Sequence, residues 1–194
     1  SAVQVLNDAS APVALIANPA TLTCTTLQTI INASASTQGP DYVYTWSGPG
    51  IIAGQNTPQP TVDAPGVYTL DIVNTANGCT DTETIVVPED LVPPVALAGN
   101  DGLINCTLPT GAVGSANNPS GPNFTLVWTT VGGSFTSATN GPTATIDAAG
   151  TYTLLITNNT NGCTDTDVAI VLDDFAQPAV EAGPTFELTC IQTT

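Results

Sequence analysis

An all-β chain of tandem sandwich units is the fold class that the sequence predicts. Three observations carry it: a long internal repeat, strand-like alternation of large side chains, and a composition rich in turn formers and poor in helix formers. Offsetting the sequence by 82 to 84 residues superimposes Cys24 on Cys106 and Cys190, Trp46 on Trp128, and Tyr68 on Tyr152. The same offset lays Asn77-Gly78-Cys79-Thr80-Asp81-Thr82 on Asn161-Gly162-Cys163-Thr164-Asp165-Thr166. A period this long is a whole small domain rather than a solenoid turn. Residues 2–24 also run against 168–190 without a gap. The repeat therefore divides the chain into the last strand of a preceding unit (1–10), two complete units (11–92 and 93–176), and the first strands of a following unit (177–194).

The strands follow in order. Residues 13–17 and 22–24 make the opening strands, with 27–33 next. Tyr42, Tyr44 and Trp46 alternate with smaller or polar residues, as do Phe124, Leu126 and Trp128, which puts each set on one face of a central strand. Tyr68, Leu70 and Ile72 repeat the pattern, matched by Tyr152, Leu154 and Ile156, and each strand runs into an Asn-Gly pair suited to a tight turn. Residues 84–87 and 168–172 are the return strands. About seven short strands in each unit, separated by turn signals, describe an immunoglobulin-like β-sandwich. The prolines at 88, 93, 94 and 178, set among acidic residues, fix φ and disfavour helix, so the joints between units are expected to be stiff.

Composition removes whole classes of function. The 194 residues hold no Lys, Arg, His or Met against 16 Asp plus Glu, a formal net charge of -16. Nucleic acid and anionic membrane surfaces repel such a chain, since both are bound through Lys and Arg. No run approaches the roughly 18 apolar residues of a membrane span, so direct membrane insertion is not expected. There is no signal peptide and no initiator Met, which is expected of a mature or internal segment.

Catalysis has few reagents here. Without His or Lys no hydroxyl-plus-base nucleophile can be assembled, and without Arg or Lys there is no cationic clamp for an oxyanion or phosphate. Paired carboxylates remain, and these can hydrolyse glycosides. Asp81 with Glu83, and Asp165 with Asp167, stand two apart on a strand and hence on one face. Their recurrence in every unit reads as architecture, and the chain is expected not to be an enzyme.

Five cysteines punctuate the repeat. Cys24 and Cys79 are 55 residues apart, Cys106 and Cys163 are 57 apart, and each pair holds the same place in its unit. One disulfide per repeat is expected, Cys24 with Cys79 and Cys106 with Cys163, leaving Cys190 with a partner outside the chain. Closing such a loop contributes about 4 kcal/mol on the chain-entropy model, and persistent disulfides belong to oxidising, extracellular compartments. Buried free thiols are the alternative. Zinc is disfavoured by the absence of His and of any Cys-x-x-Cys.

The run Ala98-Gly99-Asn100-Asp101 before Leu103-Ile104-Asn105-Cys106, then a Trp strand, then Gly150-Thr151-Tyr152-Thr153-Leu154, then Asn161-Gly162-Cys163-Thr164-Asp165-Thr166-Asp167, resembles the Ig-like repeats of giant Bacteroidetes cell-surface proteins. It is similar to the gliding-motility adhesins exported by the type IX secretion system, and also to the PKD and HYR families of extracellular modules. The resemblance covers the whole chain and implies an extracellular, cell-surface fibre or adhesin stalk. Its partners would be neighbouring repeats of the same chain or like chains in a fibre, and a distal surface or glycan ligand.

Calcium is the one cofactor the sequence suggests, because hard cations want several oxygen ligands. Acids gather near the joints: Glu89, Asp90 and Asp101 with Glu83, and Asp173 and Asp174 with Asp167 and Glu181. Hydration of the linker is the alternative. Two other functions stand beside the stalk: a filament subunit that polymerises non-covalently, residues 2–6 completing a neighbour's sheet by β-strand exchange, and a carbohydrate-binding module using Tyr42, Tyr44 and the tryptophans. Core packing is the competing use of those aromatics.

Overall fold

The computed structural model describes residues 9–176 and residue 183. The segments expected to belong to neighbouring units, including Cys190, Glu181 and the strand at 2–6, lie outside the described residues. Fourteen strands and no helix are present among the described residues. In the first half these are β1 (Leu22–Thr23), β2 (Thr29–Ile30), β3 (Tyr42–Ser47), β4 (Ile51–Ala53), β5 (Thr61–Val62), β6 (Gly66–Asn74), β7 (Thr80–Val87) and β8 (Glu89–Asp90). The second half holds β9 (Gly102–Asn105), β10 (Gly111–Gly114), β11 (Phe124–Val131), β12 (Thr143–Ile146), β13 (Gly150–Asn158) and β14 (Thr164–Asp174).

Each half is an immunoglobulin-like β-sandwich. In the first, the sheet β3-β6-β7 faces the sheet β2-β5-β4, and β1 pairs in parallel with β8. In the second, β11-β13-β14-β9 faces β10-β12, with β9 parallel to β14. The period-2 pattern sets the register: Trp46 stands opposite Leu70, and Trp128 opposite Leu154. Because alternate side chains point to one face, Tyr44, Trp46, Tyr68, Leu70 and Ile72 all enter one core, closed from the other sheet by Ile31 and Val62. Leu126, Trp128, Tyr152, Leu154 and Ile156 do the same in the second, with Val113 and Ile146 opposite. The two cores share no residue.

The polar atoms carried into each core are satisfied. Trp46 donates its indole N–H to the Thr57 carbonyl at 2.9 Å, and Trp128 to that of Gly141 at 3.0 Å. The Tyr68 hydroxyl donates to the Ala64 carbonyl at 2.6 Å, and that of Tyr152 to Ala148 at 2.5 Å. Each bond runs four residues upstream and pins the corner from which its strand departs, as the tyrosine corner does in immunoglobulin-like sandwiches.

The opening segment departs from expectation. Residues 13–17 form no regular strand; their amides are taken up largely by side chains. Ala14 N–H donates to Asp81 Oδ2 at 2.7 Å, and Leu15 N–H to Ser36 Oγ at 2.9 Å. In the second unit Ala96 N–H donates to Asp165 Oδ2 at 2.8 Å, Ala98 N–H to Asp167 Oδ2 at 2.7 Å, and Leu97 N–H to Asn118 Oδ1 at 2.8 Å. A carboxylate that accepts a backbone N–H makes a charge-assisted bond stronger than a ladder bond between neutral groups. The opening segment is thus clipped to its sheet by side chains projecting from β7 or β14.

Candidate functional site: the joint between the two sandwiches

The described cysteines do not pair within their repeats. Cys24 is joined to Cys163, across the joint, with Cα atoms 5.1 Å apart and a sequence separation of 139. Cys79 and Cys106 carry free thiols in this structure. The expected pairings, Cys24 with Cys79 and Cys106 with Cys163, are corrected accordingly, and the reason is geometric. Cys24 follows β1, which lies beside β8 at the C-terminal end of its sandwich. Cys79 precedes β7, in the turn whose Asn77 touches Ser10 at the N-terminal end. The extended chain of β7 and β8 between those ends spans roughly 30 Å, far beyond the Cα separation of about 7 Å within which a disulfide closes.

Around the bridge the two sandwiches interlock. The turn after β13 is built by Asn158, whose carbonyl accepts the Gly162 N–H at 2.7 Å, and by Asn161, whose Oδ1 accepts the Cys163 N–H at 3.0 Å. Gly162 takes φ +72°, a left-handed conformation that glycine adopts without penalty. It also has to be small: a Cβ there would fall 2.3 Å from Thr25 Cγ2 of the first sandwich. Asn161 carries the polar half of the contact. Its Nδ2 donates to Asp90 Oδ1 and to the Val92 carbonyl, both at 2.9 Å, and its backbone carbonyl accepts the Cys24 N–H at 3.1 Å. Asn161 and Cys163 retain only 1% and 2% of their exposure. The second sandwich's side of the bonds that fix it to the first is therefore shielded from water, while Cys24 and Val92 stay exposed.

On the other side of the joint a turn after β1 presents Cys24. Thr23 Oγ1 accepts the Thr26 N–H at 3.0 Å, and the Thr23 N–H donates to the Thr26 carbonyl at 2.9 Å. The Cys24 sulfur is held at the exposed rim of the sandwich, facing Cys163.

The acids expected at the joints have separate duties. Asp90 accepts Asn161, and its Oδ1 also takes the Val92 N–H at 3.3 Å. Asp101 Oδ1 accepts the Ile170 N–H at 2.8 Å, and Asp174 Oδ1 the Ala176 N–H at 3.4 Å. Glu89 and Asp173 lie in the parallel pairs with Leu22 and Ile104. Among the described residues no three acidic or thiol groups come together to hold a metal ion. Asp81, Asp165 and Asp167 are engaged with backbone amides, as described above.

Of the aromatic residues in the sugar-platform alternative, Tyr44, Trp46 and Trp128 are buried in the two cores, and Tyr42 is half-buried against the first. A shallow groove on the first sandwich, lined by Asn18, Pro19, Gln28, Ile30 and Ile52, contains no aromatic ring.

No family model matches the chain, and no curated protein does. Among solved structures it is similar to the PKD domain from the KIAA 1837 protein, at 16% identity over 50% of this chain and 96% of that one, with a TM-score of 0.32. It is similar to the N-terminal eight Ig domains of Down Syndrome Cell Adhesion Molecule at 15% identity, covering 84% of this chain and 25% of that one, TM-score 0.43. The three N-terminal domains of the bacteriophage RB49 highly immunogenic outer capsid protein match at 13% identity over 84% of this chain and 59% of theirs, TM-score 0.44.

Proposed function

We propose that the chain is a stretch of a structural, adhesive stalk outside the cell, in which successive sandwiches hold a distal binding region away from the surface. The observation that carries this reading is the Cys24–Cys163 bridge with its buried Asn161 contact. It converts two sandwiches joined by a peptide linker into one element that cannot hinge freely, which is a property of a rod. The disulfide supports an oxidising, extracellular location. The absence of Lys and Arg leaves trypsin-like proteases no cleavage site, which suits an exposed fibre.

The resemblance of the repeat to Bacteroidetes surface proteins supports a finer reading: export by the type IX system, anchorage at the cell surface and service in gliding adhesion. Antibodies against the chain should then label fibres on intact cells, and cells lacking the export machinery should retain the protein internally. The stalk itself is tested by the mass of the native polypeptide, denatured and fully reduced. Hundreds of kilodaltons are expected; a mass near that of these residues alone, 19.6 kDa, removes the covalent array.

A further inference from the structure

The two faces that meet at the joint each occur a second time, without their counterpart, at the opposite ends of the described chain. The face formed by Asn161, Gly162 and Cys163 recurs as Asn77, Gly78 and Cys79. Cys79 N–H donates to Asn77 Oδ1 at 2.9 Å, Gly78 N–H to the Asn74 carbonyl at 2.7 Å, and Gly78 has φ +78°. Asn77 Nδ2 donates to the Ser10 carbonyl at 3.0 Å, as Asn161 does to Val92 one repeat on. What differs is the space beyond. A Cβ on Gly78 would meet no described residue within 4 Å, where one on Gly162 meets Thr25. Cys79 is half-buried while Cys163 is buried.

The face formed by Cys24 and its turn recurs at Cys106. Asn105 Oδ1 accepts the Leu108 N–H at 2.9 Å, as Thr23 Oγ1 accepts Thr26, and the Asn105 N–H donates to the Leu108 carbonyl at 3.0 Å. Asn105 stands opposite Asp174 in the parallel pair, as Thr23 stands opposite Asp90. Asp174 is thus placed to accept an asparagine in the way that Asp90 accepts Asn161. Both thiol-bearing turns are preformed in the geometry that closes the bridge at the middle joint.

We propose that Cys79 and Cys106 are the two halves of further inter-repeat disulfides. Cys106 takes the cysteine of an Asn-Gly-Cys turn in the sandwich that follows, and Cys79 takes the cysteine after the first strand of the sandwich that precedes. The partner is another repeat of this type, supplied either by the same polypeptide or by a second copy. The inference rests on the tandem-repeat reading but not on the length of the array. Each bridge forms as two thiols lose two protons and two electrons to an oxidised disulfide such as glutathione disulfide, which leaves as two thiols. The product is a ladder in which sulfur crosses every joint, alongside the peptide linker where the partner lies in the same polypeptide.

The test is disulfide mapping of the native protein, alkylated with iodoacetamide before any reduction and then cleaved at Asp and Glu. The expected result joins the Cys106 peptide to an Asn-Gly-Cys-Thr-Asp peptide other than that of Cys163, and the Cys79 peptide to an early-strand cysteine other than Cys24, with neither thiol alkylated. Denaturing gels with and without reductant separate the sources. An unchanged large mass places the partner in the same polypeptide, and collapse of a ladder to a single small species places it in second copies, so the inference survives even where the covalent stalk fails. Alkylated Cys79 and Cys106 overturn the inference and leave the stalk standing, whereas pairing within repeats overturns both the inference and the Cys24–Cys163 bridge on which the stalk rests.

Discussion

Asn161 reaches out of the second sandwich to Asp90 of the first, its Nδ2 lying 2.9 Å from Asp90 Oδ1. Asn77 is its counterpart one repeat earlier and makes a single described cross-joint bond of this kind, to Ser10. Replacing Asn161 with Ala removes two bonds made by a buried side chain and takes that donor from the Asp90 oxygen and the Val92 carbonyl. We expect a loss of about 2 kcal/mol in urea unfolding. Asn77→Ala in the same chain should lose about 1 kcal/mol less, because Asn77 is half-buried where Asn161 is buried. Equal losses would mean that the joint contributes nothing beyond the local turn.

Gly162 and Gly78 share one backbone conformation and differ in surroundings. Gly78→Ala should cost about 1 kcal/mol, the penalty for a Cβ in the left-handed region. Gly162→Ala meets the same penalty and also drives a methyl into Thr25. The expected readout is slower re-formation of the Cys24–Cys163 bridge after reduction for Gly162→Ala, with Gly78→Ala indistinguishable from the parent.

Asp165 clips the opening segment of the second sandwich through the Ala96 amide. Asp165→Ala strands the Ala96 amide and should destabilise the second sandwich by about 2 kcal/mol, whereas Asp165→Asn, whose amide oxygen can still accept, should recover part of that. A chemical denaturation series on the three proteins checks the order. No recovery by Asn would indicate that charge, not the acceptor, is what the site uses.

Chelation probes the joint from another side. Asp90 is satisfied by an amide, so the melting midpoint of the oxidised chain should be the same in EDTA as in millimolar calcium. A calcium-dependent rise of several degrees would instead place a cation at the joint.

Alkali offers a clean titration, because a chain without Lys or Arg leaves phenols and thiols as the side chains that change charge above neutrality. Burial pushes the Tyr44 hydroxyl above its ordinary 10.0, and at Tyr68 burial is reinforced by the Asp63 carboxylate. The unfolded chain then gives up these protons at a lower pH than the folded one does. Stability contributed by the neutral phenols is fully present below pH 10.0 and is lost as pH rises through the raised values. With thiols blocked, melts should hold steady up to that point and decline beyond it, in step with phenolate absorbance. A decline beginning at pH 8 would contradict the assignment.

Much of the fold was legible because period 2 is a local signal. Trp46, Tyr68 and their counterparts declare a buried face without reference to anything distant. The partner of Cys24 was not legible from spacing, because in a tandem repeat every distance is defined only up to one period: Cys79 and Cys163 occupy the same place in successive units. Strand direction held the missing information. A cysteine at the exit of its unit and another in the turn at the start of its unit cannot meet unless they belong to adjacent units. The roles of Asp81, Asp165 and Asp167 were hidden for a different reason. Acids two apart on a strand read as solvated until the opening segment, some 70 residues away in sequence, is seen to lie against them.

The bridge also decides where a pulling force travels. Tension that reaches Cys24 can cross sulfur to Cys163 and leave along β14, which is already extended from Thr164 to Asp174. Everything between the cysteines, a sequence separation of 139, hangs from that route as slack that never tightens. With the bridge closed, melting either sandwich would leave the tether's reach unchanged, whereas melting after reduction would set free roughly 450 Å of contour length. The redox state of its surroundings thus decides whether the strength of its domains limits the reach of such a cable at all.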